Sequence, residues 1–290
     1  MLPRGLKAEI VADARNLFLE HLTTTMSLPN TASAELRLRN LDNRLLVAAV
    51  FAGALVLYLY GGLLAVHPYG DPRFVIGYFT TELGVAVFLL LTTALFFPAV
   101  RLGFRLPSLG NARQLLPLAV LLLTALGAWV AVRASLPADA SVDNGMSLRV
   151  LRTTVMVGLT EEWIFRGLML AALCRWLGLR RGAIVSLLLF GGFHLMNIAL
   201  GVPPLVGLFQ AFSTMLIGAT FLLAALGTRS LLLPMIAHAL YDFAVIDVGN
   251  LAHASASGLP MLAILGTGIV AGVYSLIRIA RLQGSEPYIS

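Results

Sequence analysis

Gly158-Leu-Thr-Glu-Glu-Trp-Ile-Phe-Arg-Gly-Leu168 sets two adjacent carboxylates and one guanidinium inside an apolar run. The run continues back to Val155 and forward to Leu173, close to the ~20 residues with which a helix crosses a bilayer. Ionisable groups at that depth are costly, so they are read as functional and expected to face protein or trapped water. Arg166 follows Glu162 by four residues, one helical turn, so the two can pair. Glu161 stands about 100° around the helix from Glu162 and is free to face something else. A lone buried Glu–Arg pair is as often structural as chemical. A second acid beside it points towards chemistry.

The rest of the chain is built to match. Of its 290 residues, 59% are hydrophobic and 12% charged, with mean hydropathy +0.89; soluble domains carry roughly 25% charged residues. The reading is all-α: a polytopic transmembrane helix bundle of about eight spans. The spans are expected near 45–66, 74–100, 115–134, 148–175, 183–200, 205–226, 231–248 and 259–279. Residues 1–44 read as an N-terminal extension, 45–282 as the membrane domain and 283–290 as a tail. Within the extension, residues 6–22 read as an amphipathic helix with Leu6, Ile10, Ala14 and Leu17 on one side. It would lie on the membrane surface or pack on the core. Residues 27–44 read as a linker. Residues 1–44 lack the apolar core of a cleavable signal peptide.

The net charge of +6 comes almost wholly from arginine. These residues sit at the ends of the apolar runs, where topology needs them, so nucleic-acid binding is a poor explanation. With the N-terminus in the cytoplasm, fifteen Lys and Arg lie inside and four outside (Arg73, Arg133, Arg149 and Arg152). That asymmetry places both termini in the cytoplasm. The compact chain and arginine bias suggest a bacterial inner membrane. Cys174, the single cysteine, leaves no intrachain disulfide and no multi-thiolate metal site.

Three spans carry the unusual side chains. The fourth has Glu161, Glu162 and Arg166; the fifth has His194 in Phe190-Gly-Gly-Phe-His194, with Asn197 three residues on. The seventh has His238 and Asp242, four apart and so on one helix face. Counted from the cytoplasmic ends at 1.5 Å per residue, Glu161 lies roughly 20 Å deep, His194 and Asp242 roughly 18 Å and His238 roughly 12 Å. Carboxylates and imidazoles in one layer are what a site for activating water needs. Plainer readings stand beside this. His194 could bond a backbone carbonyl, His238 and Asp242 could pin a helix, and Asn197 could join helices. Glu82 in the second span fits no motif and is either substrate-side or structural. Gln210, Ser213 and Thr214 are expected to join helices, and Gly191 and Gly192 to allow close helix approach.

The series Glu161-Glu162-xxx-Arg166, Phe190-xxx-His194 and His238-xxx-Asp242 resembles the motifs of the CAAX-protease and bacteriocin-processing family. These are the Rce1-like, or ABI, glutamic-type intramembrane proteases. The resemblance covers roughly residues 148–248. It implies a membrane-embedded peptide hydrolase in which Glu161 activates water, His194 helps to hold that water and His238 faces the developing oxyanion. Glu162, Arg166 and Asn197 would support them. Family members carry Asn or Asp where this chain has Asp242. An ionised Asp cannot donate to an oxyanion, so Asp242 is expected to orient His238 or to be held protonated. The implied partners are a membrane-associated peptide or protein substrate and the bilayer, with no nucleic acid and no cofactor.

The chemistry points the same way, since peptide hydrolysis needs a base for water and donors for a tetrahedral oxyanion. Other readings remain at this stage. One glutamate and two histidines could bind zinc, although HExxH is absent. A non-catalytic scaffold or regulator of the same family is a second alternative. A transporter is a third, although no paired halves with broken helices are visible. The substrate-binding cavity is expected among spans four to seven.

Overall fold

The computed structural model describes residues 31–65, 67, 71, 73–96, 104–108, 112–137, 143–252 and 258–282. Among these residues the structure is helical throughout, with no strand. Long helices are α1 (Thr31–Leu63), α2 (Phe74–Phe96), α3 (Leu116–Ala134) and α4 (Asn144–Glu162). A π-helical segment, Trp163–Met169, joins α4 to α5 (Leu170–Leu177). After it come α6 (Leu179–Phe193), the single turn α7 (Met196–Ala199), α8 (Pro204–Thr228), α9 (Leu232–Ala252) and α10 (Leu259–Ala280).

Seven of these helices are long and apolar enough to cross a membrane. The eighth expected span is the run from α4 through the π-segment to α5, continuous from Asn144 to Leu177. It is not one regular α-helix, because the π-segment interrupts it beside its two acids. The expected linker at 27–44 differs from the structure: α1 starts at Thr31 and runs unbroken into the first span. The amphipathic helix expected over 6–22 and the tail at 283–290 lie outside the described residues.

The helices close into a ring. In spatial order, α1 packs on α2, α2 on α4, α4 on α9, α9 on α3, α3 on α10, α10 on α8, α8 on α6, α6 on α5, and α5 back on α1. Over half of the α8 and α9 spans is buried (56% each), against 17% for α1, so α8 and α9 are central. The outward faces are apolar, with Leu205, Leu208, Phe209 and Phe212 of α8 and Leu262 and Val270 of α10 exposed. A soluble protein does not present so continuous an apolar belt; a bilayer covers it.

Close backbone approach fixes the two helices that carry most of the site. A Cβ at Gly158 of α4 would lie 2.5 Å from the Met235 carbonyl oxygen and 2.8 Å from the Ala239 nitrogen of α9. Glycine therefore lets α4 and α9 touch backbone to backbone, one turn from Glu161 on one side and at His238 on the other. Gly191 does the same for α6 against Ala211 of α8, as expected, whereas Gly192 meets nothing within 4 Å and does not.

Candidate functional site

A cavity of about 530 Å³ opens inside the ring, and Glu161, His194, Asn197, His238 and Asp242 all line it. Its walls come from α4, α6, α7, α8 and α9, the expected spans four to seven, with Phe74, Val75 and Tyr78 of α2 and Leu265 of α10 added. Glu162 and Arg166 do not line it. They lie behind Glu161, at 0% and 1% exposure. Two adjacent acids thus meet two environments, because the helical turn between them aims one at the cavity and the other into protein.

Glu162 is held firmly. Its Oε1 is 3.0 Å from Arg166 Nη1 and accepts a hydrogen bond from His238 Nδ1 at 3.0 Å. The spacing of the sequence anticipated the arginine but not the histidine, which lies 76 residues away. Arg166 also donates from Nη2 to the Gly218 carbonyl at 2.8 Å and lies 4.0 Å above the Phe190 ring. A Cβ at position 218 would meet both that guanidinium and Phe190 at 2.6 Å. Buried charges persist only when paired and hydrogen-bonded in this way.

His238 is clamped from all sides. Nδ1 faces Glu162, while Nε2 is 3.3 Å from Asp242 and 3.8 Å from Glu161. Phe221 stacks on the ring at 4.8 Å, 21° from parallel. Both nitrogens therefore point at carboxylates, and the imidazole cannot turn without losing the Glu162 bond. His194 has one fixed nitrogen. Its Nδ1 is 2.9 Å from the Phe190 carbonyl. A carbonyl only accepts, so Nδ1 carries a proton, and the Nδ1–H tautomer presents an Nε2 lone pair. Glu161 Oε2 is buried and makes no hydrogen bond to the protein. Among the described residues no three His, Cys, Asp or Glu side chains are grouped to hold a metal ion.

Three features were not legible in the motifs. Asn197 donates to Gln210 Oε1 at 3.1 Å, and Gln210, Ser213 and Thr214 line the cavity with it. They form a polar strip on its wall as well as joining helices, which corrects the expectation of joining alone. Glu82 is fully buried and does not line the cavity; its Oε2 accepts from Tyr58 at 2.9 Å and from Thr160 at 2.6 Å. That makes it a structural knot of α1, α2 and α4. Asp247 of α9 was overlooked: it accepts from Trp129 Nε1 of α3 at 2.9 Å and from Ser147 of α4 at 3.0 Å. An acid inside an apolar span was the signal for it, as it was for Glu82.

The ring of membrane-spanning helices and the acid–imidazole cluster in its cavity define a multi-pass membrane protein with a buried cluster of acids and imidazoles. Residues 143–244, which contain every residue of that cluster, match the family model described as type II CAAX prenyl endopeptidase Rce1-like. Over this stretch, about a third of the chain, the sequence is similar to that family. Comparison with curated proteins and with solved structures gives no match.

Proposed function

We propose that the protein is an intramembrane endopeptidase that hydrolyses a peptide bond of a membrane-associated protein or peptide. The observation that carries this reading is the split of the acid pair. Glu161 faces the cavity together with His194, His238 and Asp242, while Glu162 is engaged behind it with Arg166. Glu161 is the general base and takes a proton from water held between it and the Nε2 lone pair of His194. The hydroxide oxygen attacks the carbonyl carbon, and the carbonyl π electrons move to oxygen. Collapse of that tetrahedral species breaks the C–N bond, and the proton on Glu161 passes to the leaving amine. Two molecules result, a new carboxylate and a new amine, and the base is regenerated.

His238 stabilises the oxyanion. Glu162 accepts the Nδ1 proton, so only a ring that carries a second proton on Nε2 can donate to substrate. Asp242, 3.3 Å from Nε2, sits where it accepts that proton's hydrogen bond until the oxyanion forms. Asp242 is thereby an orienting group rather than a donor. Arg166 and Gly218 are positioning residues that act through Glu162. No cofactor enters this scheme. The same reading has the protein in a bacterial inner membrane, in keeping with its compact chain and arginine bias, with both termini in the cytoplasm, which the arginine asymmetry of the span ends supports.

Purified protein in detergent, given a peptide library, tests the proposal. Cleavage by wild type that is lost in Glu161→Ala and unaffected by a chelator is the expected result. Loss with chelator and restoration by zinc would make it a metalloprotease. No cleavage under any condition, with Glu161→Ala still functional in cells, would leave the scaffold reading.

A further inference from the structure

The cavity belongs to one end of the bundle. Its lining runs from Glu161 and His238 to Asp71 before α2, Thr153 in the first half of α4, Gln210 in the first half of α8 and Asn250 at the end of α9. Neither residues 163–189 nor residues 222–237 contribute a wall. Those two stretches include both turns at the opposite end, around Gly178 and Arg229. The cavity is therefore blind below the acid–imidazole cluster.

The two ends differ in charge. Arg44, Arg105, Arg180, Arg181, Arg229 and Arg281 stand at the blind end, whereas Arg73, Arg133, Arg149 and Arg152 are the basic residues of the open end. Basic residues are retained on the cytoplasmic side of a membrane, so the blind end is cytoplasmic and the open end is not. The lining has its own bias. Among the described residues it contains the carboxyl groups of Asp71, Glu161 and Asp242 and neither Lys nor Arg. Arg73 stands beside the mouth and bonds both oxygens of Asp71, which lowers the Asp71 pKa to about 2 and makes that pair neutral overall.

Resting on the protease reading above, we infer that the substrate is presented from the non-cytoplasmic face. It is a peptide segment that enters the cavity from that side, past Asp71 and Asn250. Cysteine accessibility tests the side of entry without needing activity. In a Cys174→Ser background, Arg149→Cys marks the open end and Arg180→Cys the blind end. Each is labelled with a membrane-impermeant maleimide in intact and in permeabilised bacterial cells. An intact-to-permeabilised ratio near one at position 149 and near zero at position 180 is expected. Equal ratios, or the reverse order, overturn the inference and leave the protease reading untouched. A second arm gives right-side-out and inverted vesicles a membrane-impermeant peptide that the detergent-purified enzyme cleaves. Cleavage at least ~10-fold faster in right-side-out vesicles is expected; faster cleavage in inverted vesicles overturns the inference. Absence of any such peptide from the detergent screen counts against the protease reading instead, because the labelling result stands by itself.

Discussion

Thr160 and Glu161 are neighbours in α4 yet belong to two polar clusters of opposite character. Thr160 turns away from the cavity, to Tyr58 and Glu82, in a knot whose three members are at most 1% exposed. Glu161 turns into the cavity, beside two imidazoles and Asp242. Both clusters place a glutamate in the membrane interior, so depth alone does not separate them. What separates them is access. Each keeps one carboxylate oxygen without a protein donor, Oε1 in Glu82 and Oε2 in Glu161. Glu82 receives two hydroxyl hydrogen bonds on Oε2 away from the cavity, which joins three helices. Glu161 lines the cavity, where the proposed reaction needs a base beside water. A buried acid serves structure or chemistry according to which side of its helix it faces.

That contrast can be attacked in order of expected effect. Glu161→Gln keeps the shape but removes the base, and cleavage should fall by about 10²–10⁴-fold with unchanged detergent melting. Gly158→Val should fold less well and cut less. Its side chain would strike the Met235 carbonyl and the Ala239 nitrogen, prising α9 and His238 from α4. A displacement near 1 Å costs on the order of 10²-fold in rate, readable as kcat per folded molecule. Glu82→Leu should invert the pattern. It removes the acceptor shared by the Tyr58 and Thr160 hydroxyls, which keep each other and the Met156 carbonyl as partners, at a cost of about 1 kcal/mol, measured by denaturant titration, while the rate per folded molecule stays within about threefold. Gln210→Ala, in the polar strip, should raise KM a few-fold and leave kcat unchanged.

How far the sequence reaches follows from the same geometry. Helical periodicity fixes contacts three and four residues apart, so Glu162 with Arg166 and His238 with Asp242 were legible. The layer shared by Glu161, His194 and His238 followed from span lengths. Contacts between helices have no such ruler. Glu162 with His238 spans 76 residues, Thr160 with Glu82 spans 78 and Trp129 with Asp247 spans 118. Nothing in Trp163–Met169 announced a π-segment, which the structure shows buried among α1, α2 and α6. π-turns of this kind occur often at functional sites, and this one starts directly after the acid pair. The linker expected before the first span failed for a different reason. Polar residues there lowered the hydropathy without breaking the helix, since a helix need not stop where the membrane does.

The most direct test of the account measures cleavage rate and detergent melting together for Glu161→Gln and Glu82→Leu against wild type. The account predicts a Glu161→Gln protein that melts like wild type and does not cut, and a Glu82→Leu protein that melts earlier and still cuts. A Glu161→Gln protein that retains wild-type cleavage would contradict it, as would a Glu82→Leu protein that melts normally but has lost its activity.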